Sequence, residues 1–318
     1  MEQARTTNER GKGELWRVVT DHPDIFDTHV VSKLNCNEVK FFYDVNRESR
    51  AAIKRSGVRL ADAFKIGDFD TTSTISWALE ECSEEKERFC AEMARNGNLE
   101  LLEFLRGKGC PWDEKTCIIA AYYGHLECLT YAHENGCPWD ENTCSEAAEE
   151  GHLECLKYAH ENGCPRDEYT CSKAALRGHL ECLKYAHEQR FPLSWWTSCC
   201  AASEGQLECL KYAHENGCPW HKRTCSYAAE EGHLECLKYA HENGCPWNNR
   251  TCSNAALNGH LECLKYAHEN GCPWDERTCS KAAKYGFNEC LEYAREHGCP
   301  SDEESDLDWA SEWSYDSR

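Results

Sequence analysis

The sequence predicts an all-α solenoid of stacked helix-turn-helix units preceded by a small helical segment, and three observations carry that reading. Glycines recur every 27 residues at Gly97, Gly124, Gly151, Gly178, Gly205, Gly232, Gly259 and Gly286, with no insertion or deletion between neighbours. Each period holds two apolar stripes at helical spacing, neither longer than about three turns. Helices that short are marginal alone in water, so their stability has to come from stacking on the copies beside them.

The unit around Gly151 shows the pattern. Cys144, Ala147 and Ala148 are spaced i, i+3, i+4 and form one stripe on a first helix, with alanines narrow enough to let neighbouring helices approach closely. Thr143-Cys-Ser-Glu146 has the form of a capping box and predicts that Thr143 opens this helix. The second helix is expected over 152–162, where Leu153, Cys155, Leu156, Tyr158 and Ala159 make a wider apolar face. Gly163 is expected to end it, and Pro165 forbids continuation.

One unit departs from its neighbours. Arg190 stands where the others carry the terminating glycine, and Trp195-Trp196 lie a few residues beyond it. A non-glycine residue in the left-handed conformation costs about 1–2 kcal/mol, so this helix end is strained or differently capped. The regular tryptophans Trp112, Trp139, Trp220, Trp247 and Trp274 follow the prolines and are expected to cover the turns and pack on the neighbouring unit, where large aromatics bury well over ~100 Å².

The formal charge of −21 disfavours nucleic acid as a partner, because phosphate-backbone binding needs clustered Lys and Arg. No apolar run approaches the roughly 18 residues of a membrane span, and the polar start at residues 1–12 lacks the apolar core of a signal peptide. A soluble cytoplasmic chain, with the nucleus as the alternative compartment, is the expectation.

The chain holds 25 cysteines, most of them at three fixed places in the repeat, exemplified by Cys155, Cys164 and Cys171. Equivalent places in stacked units lie about 10 Å apart, beyond the ~7 Å Cα limit for a disulfide, so free buried thiols packing as small hydrophobes are expected. His152 and Cys155 are three apart on one helix, yet no second Cys or His pair has the tight spacing that would complete a metal site. The reading calls for no cofactor. A thiol-rich metal-binding or redox protein is the alternative from another class.

Outside the repeats, residues 1–13 are expected to form a disordered arm. Residues 14–57 carry three short helical patterns, and a degenerate cap unit lies near 60–83 at the head of an array spanning 58–300. The tail 301–318 holds seven acidic residues and one arginine and is expected to be disordered, with Ser301 and Ser305 as candidate phosphorylation sites.

The recurring Ala147-Ala148-x-x-Gly151-His-Leu-Glu and the closing Glu161-Asn-Gly163 resemble the ankyrin repeat. The usual unit has 33 residues and ends in a β-turn finger. Six residues are missing between Gly163 and Thr170, so the resemblance implies a tight turn in place of the projecting hairpin. It also implies that binding residues lie where the copies disagree, before the conserved threonine and after the alanine pair. The candidate contacts are Tyr122, Tyr123, Glu149, Glu150, Tyr169, Leu176, Arg177, Trp195, Trp196, Arg223, Tyr227, Leu257, Asn258 and Tyr285. Among these, Tyr123, Leu176, Leu257 and Tyr285 are expected to be exposed.

Residues 22–56 resemble an F-box, the helical module that docks on the adaptor of cullin ubiquitin ligases. The match rests on His-Pro23-Asp-Ile25-Phe26, Leu34 and Val39, and the run from Val45 to Ile53. The resemblance implies adaptor contacts at Pro23, Ile25, Phe26, Val30, Leu34, Val39 and Val45; the other reading of the segment is a helical cap shielding the first repeat. No catalytic constellation stands out, because each candidate Cys or His belongs to a repeated set. The sequence therefore points to a monomeric, non-enzymatic scaffold that binds a protein partner through the variable face of its repeats.

Overall fold

The computed structural model describes residues 71–72, 75–76, 79 and 86–300. The arm, the F-box-like segment with Pro23, Ile25, Phe26, Val30, Leu34, Val39 and Val45, most of the degenerate cap and the acidic tail lie outside the described residues.

The described residues contain sixteen α-helices and no strand. They are α1 Lys86–Arg95, α2 Leu99–Gly107, α3 Glu114–Tyr122, α4 Leu126–Glu134, α5 Glu141–Glu149, α6 Leu153–Glu161, α7 Thr170–Arg177 and α8 Leu180–Glu188. The series continues with α9 Trp195–Ser203, α10 Leu207–Glu215, α11 Lys222–Glu230, α12 Leu234–Glu242, α13 Asn249–Leu257, α14 Leu261–Glu269, α15 Glu276–Lys284 and α16 Asn288–Glu296. Contacts divide the chain into two bodies, residues 1–120 with 127–138, and residues 121–126 with 139–318.

In the first body, α1 and α2 bury Phe89, Cys90, Met93, Leu101, Leu102 and Leu105 between them and their surroundings. The Asn98 side chain caps α2 by accepting from the Leu101 N–H at 3.1 Å. Trp112 makes a T-shaped contact with Tyr131 at 6.2 Å and lies beneath the Arg106 guanidinium at 4.3 Å.

In the second body every unit is a helical hairpin, and first helices stack on first helices more extensively than second helices do on each other. The alanine pairs explain the difference. Ala147-Ala148, Ala174-Ala175, Ala201-Ala202, Ala228-Ala229 and Ala255-Ala256 are fully buried, and with no side chain beyond Cβ they let backbones approach. The second helices contribute Cys155, Leu156 and Ala159 and their repeat equivalents to the same core.

The shortened turn is closed by sulfur. The Cys164 thiol donates to the Asp140 carbonyl at 3.0 Å, Cys218 to Ser194 at 3.0 Å and Cys272 to Asn248 at 3.3 Å. Each bond ties the end of a hairpin to the residue that starts its own first helix, where the longer unit would send out a finger. The 23 described cysteines are buried and free, in keeping with their reading as small core residues.

The capping-box expectation at Thr143 is corrected. Helix α5 begins at Glu141, and Asp140 is its cap, accepting from the Asn142 N–H at 3.0 Å. A carboxylate one turn earlier captures the start of the helix, and Thr143 moves into the core with its hydroxyl unpartnered. Glu146, expected to complete the box, instead pairs with Lys173 of α7 at 2.7 Å. The expectation at Arg190 holds: its φ is +66°, and it is the one described residue other than glycine with a positive value.

Candidate interaction surface

The variable positions gather along the first helices of the second body. Tyr169 and Trp195 stand at helix starts, while Tyr123 and Tyr285 stand just past helix ends. These four are the exposed large hydrophobic residues among the described ones, at 40%, 52%, 37% and 53% exposure for Tyr123, Tyr169, Trp195 and Tyr285. The cost of leaving an aromatic ring in water falls on the positions where the copies differ, and the shared framework stays covered.

Two of the four residues expected to be exposed are not. Leu176 and Leu257 are half-buried, as is Trp196. Their part of the helix faces the neighbouring first helix, as the equivalent Glu149 demonstrates by reaching Lys173 of the next unit at 2.9 Å. Lys173 also holds Glu146, and Arg177 lies 3.9 Å from Glu149, so this group is an inter-unit ion network. Tyr122 is engaged too. The Glu150 carboxylate near its phenol raises its pKa. Asn258 donates to the Glu230 carbonyl at 2.7 Å.

An aromatic cluster forms around the departing unit. Trp195 packs edge-on to Trp196 at 5.5 Å and against the His221 ring at 4.6 Å, while Trp196 meets Tyr227 at 6.1 Å. Arg223, exposed, follows two residues after His221. The surface thus joins Trp195, Tyr227 and Arg223, three of the residue types that dominate interface energetics.

The regular tryptophans belong to the framework, as expected. Trp247 stacks on His241 at 3.6 Å and lies edge-on to Tyr266 of the next unit at 6.4 Å. Trp274 repeats the arrangement on His268 and Tyr293, and the Trp220 indole donates to the Asn243 carbonyl at 3.0 Å. The histidines at the ends of second helices join this packing, with His160 and the Tyr185 hydroxyl sharing a hydrogen bond of 3.1 Å. His152, His179, His233 and His260, which precede second helices, each cover a glycine of the unit before. His179 sits over Gly151 and His260 over Gly232, a relation across 28 residues that the linear repeat does not single out.

The chemistry offered by the second-helix thiols is limited. Burial, helped by the Glu154 carboxylate, pushes Cys155 up to about 12, and burial with Glu181 pushes Cys182 to about 11. Both are protonated at neutral pH and lack thiolate reactivity. Among the described residues no group of three or more His, Cys, Asp or Glu side chains is placed to hold a metal ion.

Residues 225–268, which run from α11 through α14, match the family model described as ankyrin repeats in many copies. These are ankyrin repeats. Outside the matched residues the Ala-Ala-x-x-Gly motif recurs at the same 27-residue interval before Gly124, Gly151, Gly178, Gly205 and Gly286. No curated protein matches the chain. Among solved structures, the crystal structure of the human ASB11 ankyrin repeat domain is similar, with 19% identity, coverage of 49% of this chain and 84% of that chain, and a TM-score of 0.44.

Proposed function

We propose that this chain is a non-enzymatic scaffold that binds a protein partner through the outer face of its first helices, as a monomer in the cytoplasm. One observation carries the reading: every exposed large aromatic among the described residues stands at a variable position flanking a first helix. Rigid aromatics supply much contact area at low entropic cost, and stacked hairpins hold them in fixed register.

Affinity capture tests the proposal. Full-length chain serves as bait beside a variant carrying Tyr123→Ser, Tyr169→Ser, Trp195→Ser and Tyr285→Ser. The substitutions are at exposed positions, so the helical content by circular dichroism stays that of the parent while the captured partner is lost. Equal capture by both baits contradicts the proposal.

The F-box-like residues 22–56 support a more specific role, recruitment of that partner to a cullin ubiquitin ligase through Pro23, Ile25, Phe26, Val30, Leu34, Val39 and Val45. Copurification of the cullin adaptor with the full-length chain, lost on Ile25→Asp and Phe26→Asp substitution, is the expected result. Absence of adaptor from the full-length sample leaves the segment as a cap.

A further inference from the structure

The proposal rests on the reading of the first-helix face as the binding surface, and it concerns the chemistry of the partner. Arg223, Arg250 and Arg277 occupy the same repeat position in α11, α13 and α15. Each has its backbone N–H held by the side chain of its helix cap: Arg223 by His221 Nδ1 at 3.3 Å, Arg250 by Asn248 Oδ1 at 3.1 Å and Arg277 by Asp275 Oδ1 at 3.2 Å. The three helices pack in sequence, at the ~10 Å spacing usual for neighbouring helices. All three arginines are exposed, as is Lys222.

Two carboxylates near this row, Asp275 and Glu230, are already engaged by amides, while Glu276 stands exposed beside Arg277. Asp275 Oδ2 accepts from Asn249 at 2.6 Å, and Glu230 Oε2 accepts from Asn254 at 2.8 Å. Lys281 stands in the same neighbourhood and donates to Asn254 Oδ1 at 3.1 Å. Its pKa is lowered, first by burial and then by Arg277 and Arg250, against the opposing pull of Glu230 and Asp275. The row thus gathers positive charge on one strip of a chain whose formal net charge is −21. Such a strip is complementary to an anionic ligand. The preceding unit ends the row with rings, where Trp195 is exposed beside His221 and Trp196 meets Tyr227.

We propose that this row binds an extended acidic polypeptide segment, with successive carboxylates on Arg223, Arg250 and Arg277 and an apolar side chain against Trp195. An extended polyproline-II chain rises about 3.1 Å per residue with about three residues per turn, so helices ~10 Å apart call for an acidic residue at every third position, all on one face. Guanidinium groups pair with carboxylates through two parallel hydrogen bonds, which fixes register as well as charge. Nucleic acid carries a charge on every phosphate, including those beyond this short strip, where the net charge of −21 repels them. A peptide with an acid only at every third residue confines its charge to the arginines, which favours a peptide over nucleic acid.

Fluorescence anisotropy on the full-length chain tests the assignment. The probe is a fluorescein-labelled peptide of about ten residues, long enough for three ~10 Å steps, with Glu at every third position, one Phe, and Pro and Ser elsewhere. A Lys-for-Glu version and a single-stranded DNA are the comparison ligands. The acidic probe binds, its affinity falls as salt rises, and joint Arg223→Glu, Arg250→Glu and Arg277→Glu substitution weakens it about tenfold or more. Joint Lys184→Glu, Lys211→Glu and Lys238→Glu substitution on second helices leaves it within about twofold.

No binding, equal binding of the Lys version, tighter binding of DNA, or insensitivity to the arginine changes overturns the proposal. Binding that emerges only after the acidic residues of 301–318 are replaced by amides assigns the row to the chain's own tail and also overturns it. If the captured partner still depends on Tyr123, Tyr169, Trp195 and Tyr285 while the acidic probe fails, the scaffold reading stands and the acidic assignment falls. If capture is equally insensitive, both fall.

Discussion

The imidazole of His179 occupies the space that a Cβ on Gly151 would need. Gly151 also has φ of +78°, so this position demands glycine on two independent grounds. The same contact joins Gly205 to His233 and Gly232 to His260, and Gln206 and Phe287 take the place of the histidine over Gly178 and Gly259. Each unit is thereby keyed to the one before it.

Gly163 separates the two grounds, because it has φ of +86° and nothing within 4 Å of an added Cβ. Gly163→Ala is expected to cost only the left-handed penalty of about 1–2 kcal/mol, and Gly151→Ala that penalty plus roughly another 1 kcal/mol from the collision. Urea denaturation of the two variants gives the difference. Equal losses remove the histidine contact from the account.

Arg190 provides the converse case. At φ +66° it bears strain that its repeat equivalents, all glycine, do not. The side chain is exposed, so little packing is lost on its removal. Arg190→Gly is expected to stabilise the chain by about 1 kcal/mol, read as a rise in the urea midpoint. A fall in the midpoint means that the side chain makes a stabilising contact in solution.

The period and the glycine stops made the helical hairpins legible, since a 27-residue interval without gaps leaves few alternatives. Arg190 was legible for the same reason, as a lone exception in a column of glycines. The start of α5 was not, because Asp140 and Thr143 are both good caps and the choice depends on what the core accepts. Leu176 and Leu257 were misjudged for a related reason: a variable position need not be an exposed one when the next first helix lies alongside. The His179–Gly151 contact joins residues 28 apart, one more than the period, and in the sequence only the exchanges at Gln206 and Phe287 mark the site as a stacking position.

Stability is expected to fall on mild acidification. Burial lowers the pKa of His152, His160 and His268 from the usual 6.5, reinforced by Arg166 at His160 and by His297 at His268. A depressed histidine pKa means that the unfolded chain takes up protons first. The stability they support is therefore complete above the usual value and is lost as pH drops from there through the folded-state values. Urea midpoints measured between about pH 8 and 5 are expected to decline over that window. His152→Gln, which copies the exchange present at Gln206, reduces the decline; an unchanged slope excludes His152 as a contributor.

Thiol reactivity offers a global check on packing. Burial holds Cys128, Cys209 and Cys290 at about 11 and Cys236 at about 12, with neighbouring glutamates adding to the effect. A disulfide indicator at neutral pH is expected to react promptly at Cys36 and Cys82 at most, the two cysteines outside the described residues, and with all 25 after guanidinium unfolding. Rapid reaction of many thiols in the native chain contradicts the stacked core.

Hydroxyl-radical footprinting of the full-length chain, alone and with its captured partner, tests the central claim most directly. Protection on binding is expected at Tyr123, Tyr169, Trp195 and Tyr285, with the second-helix tyrosines Tyr185, Tyr212 and Tyr239 unchanged. Protection confined to the second-helix tyrosines, with the four exposed rings as reactive as before, contradicts it.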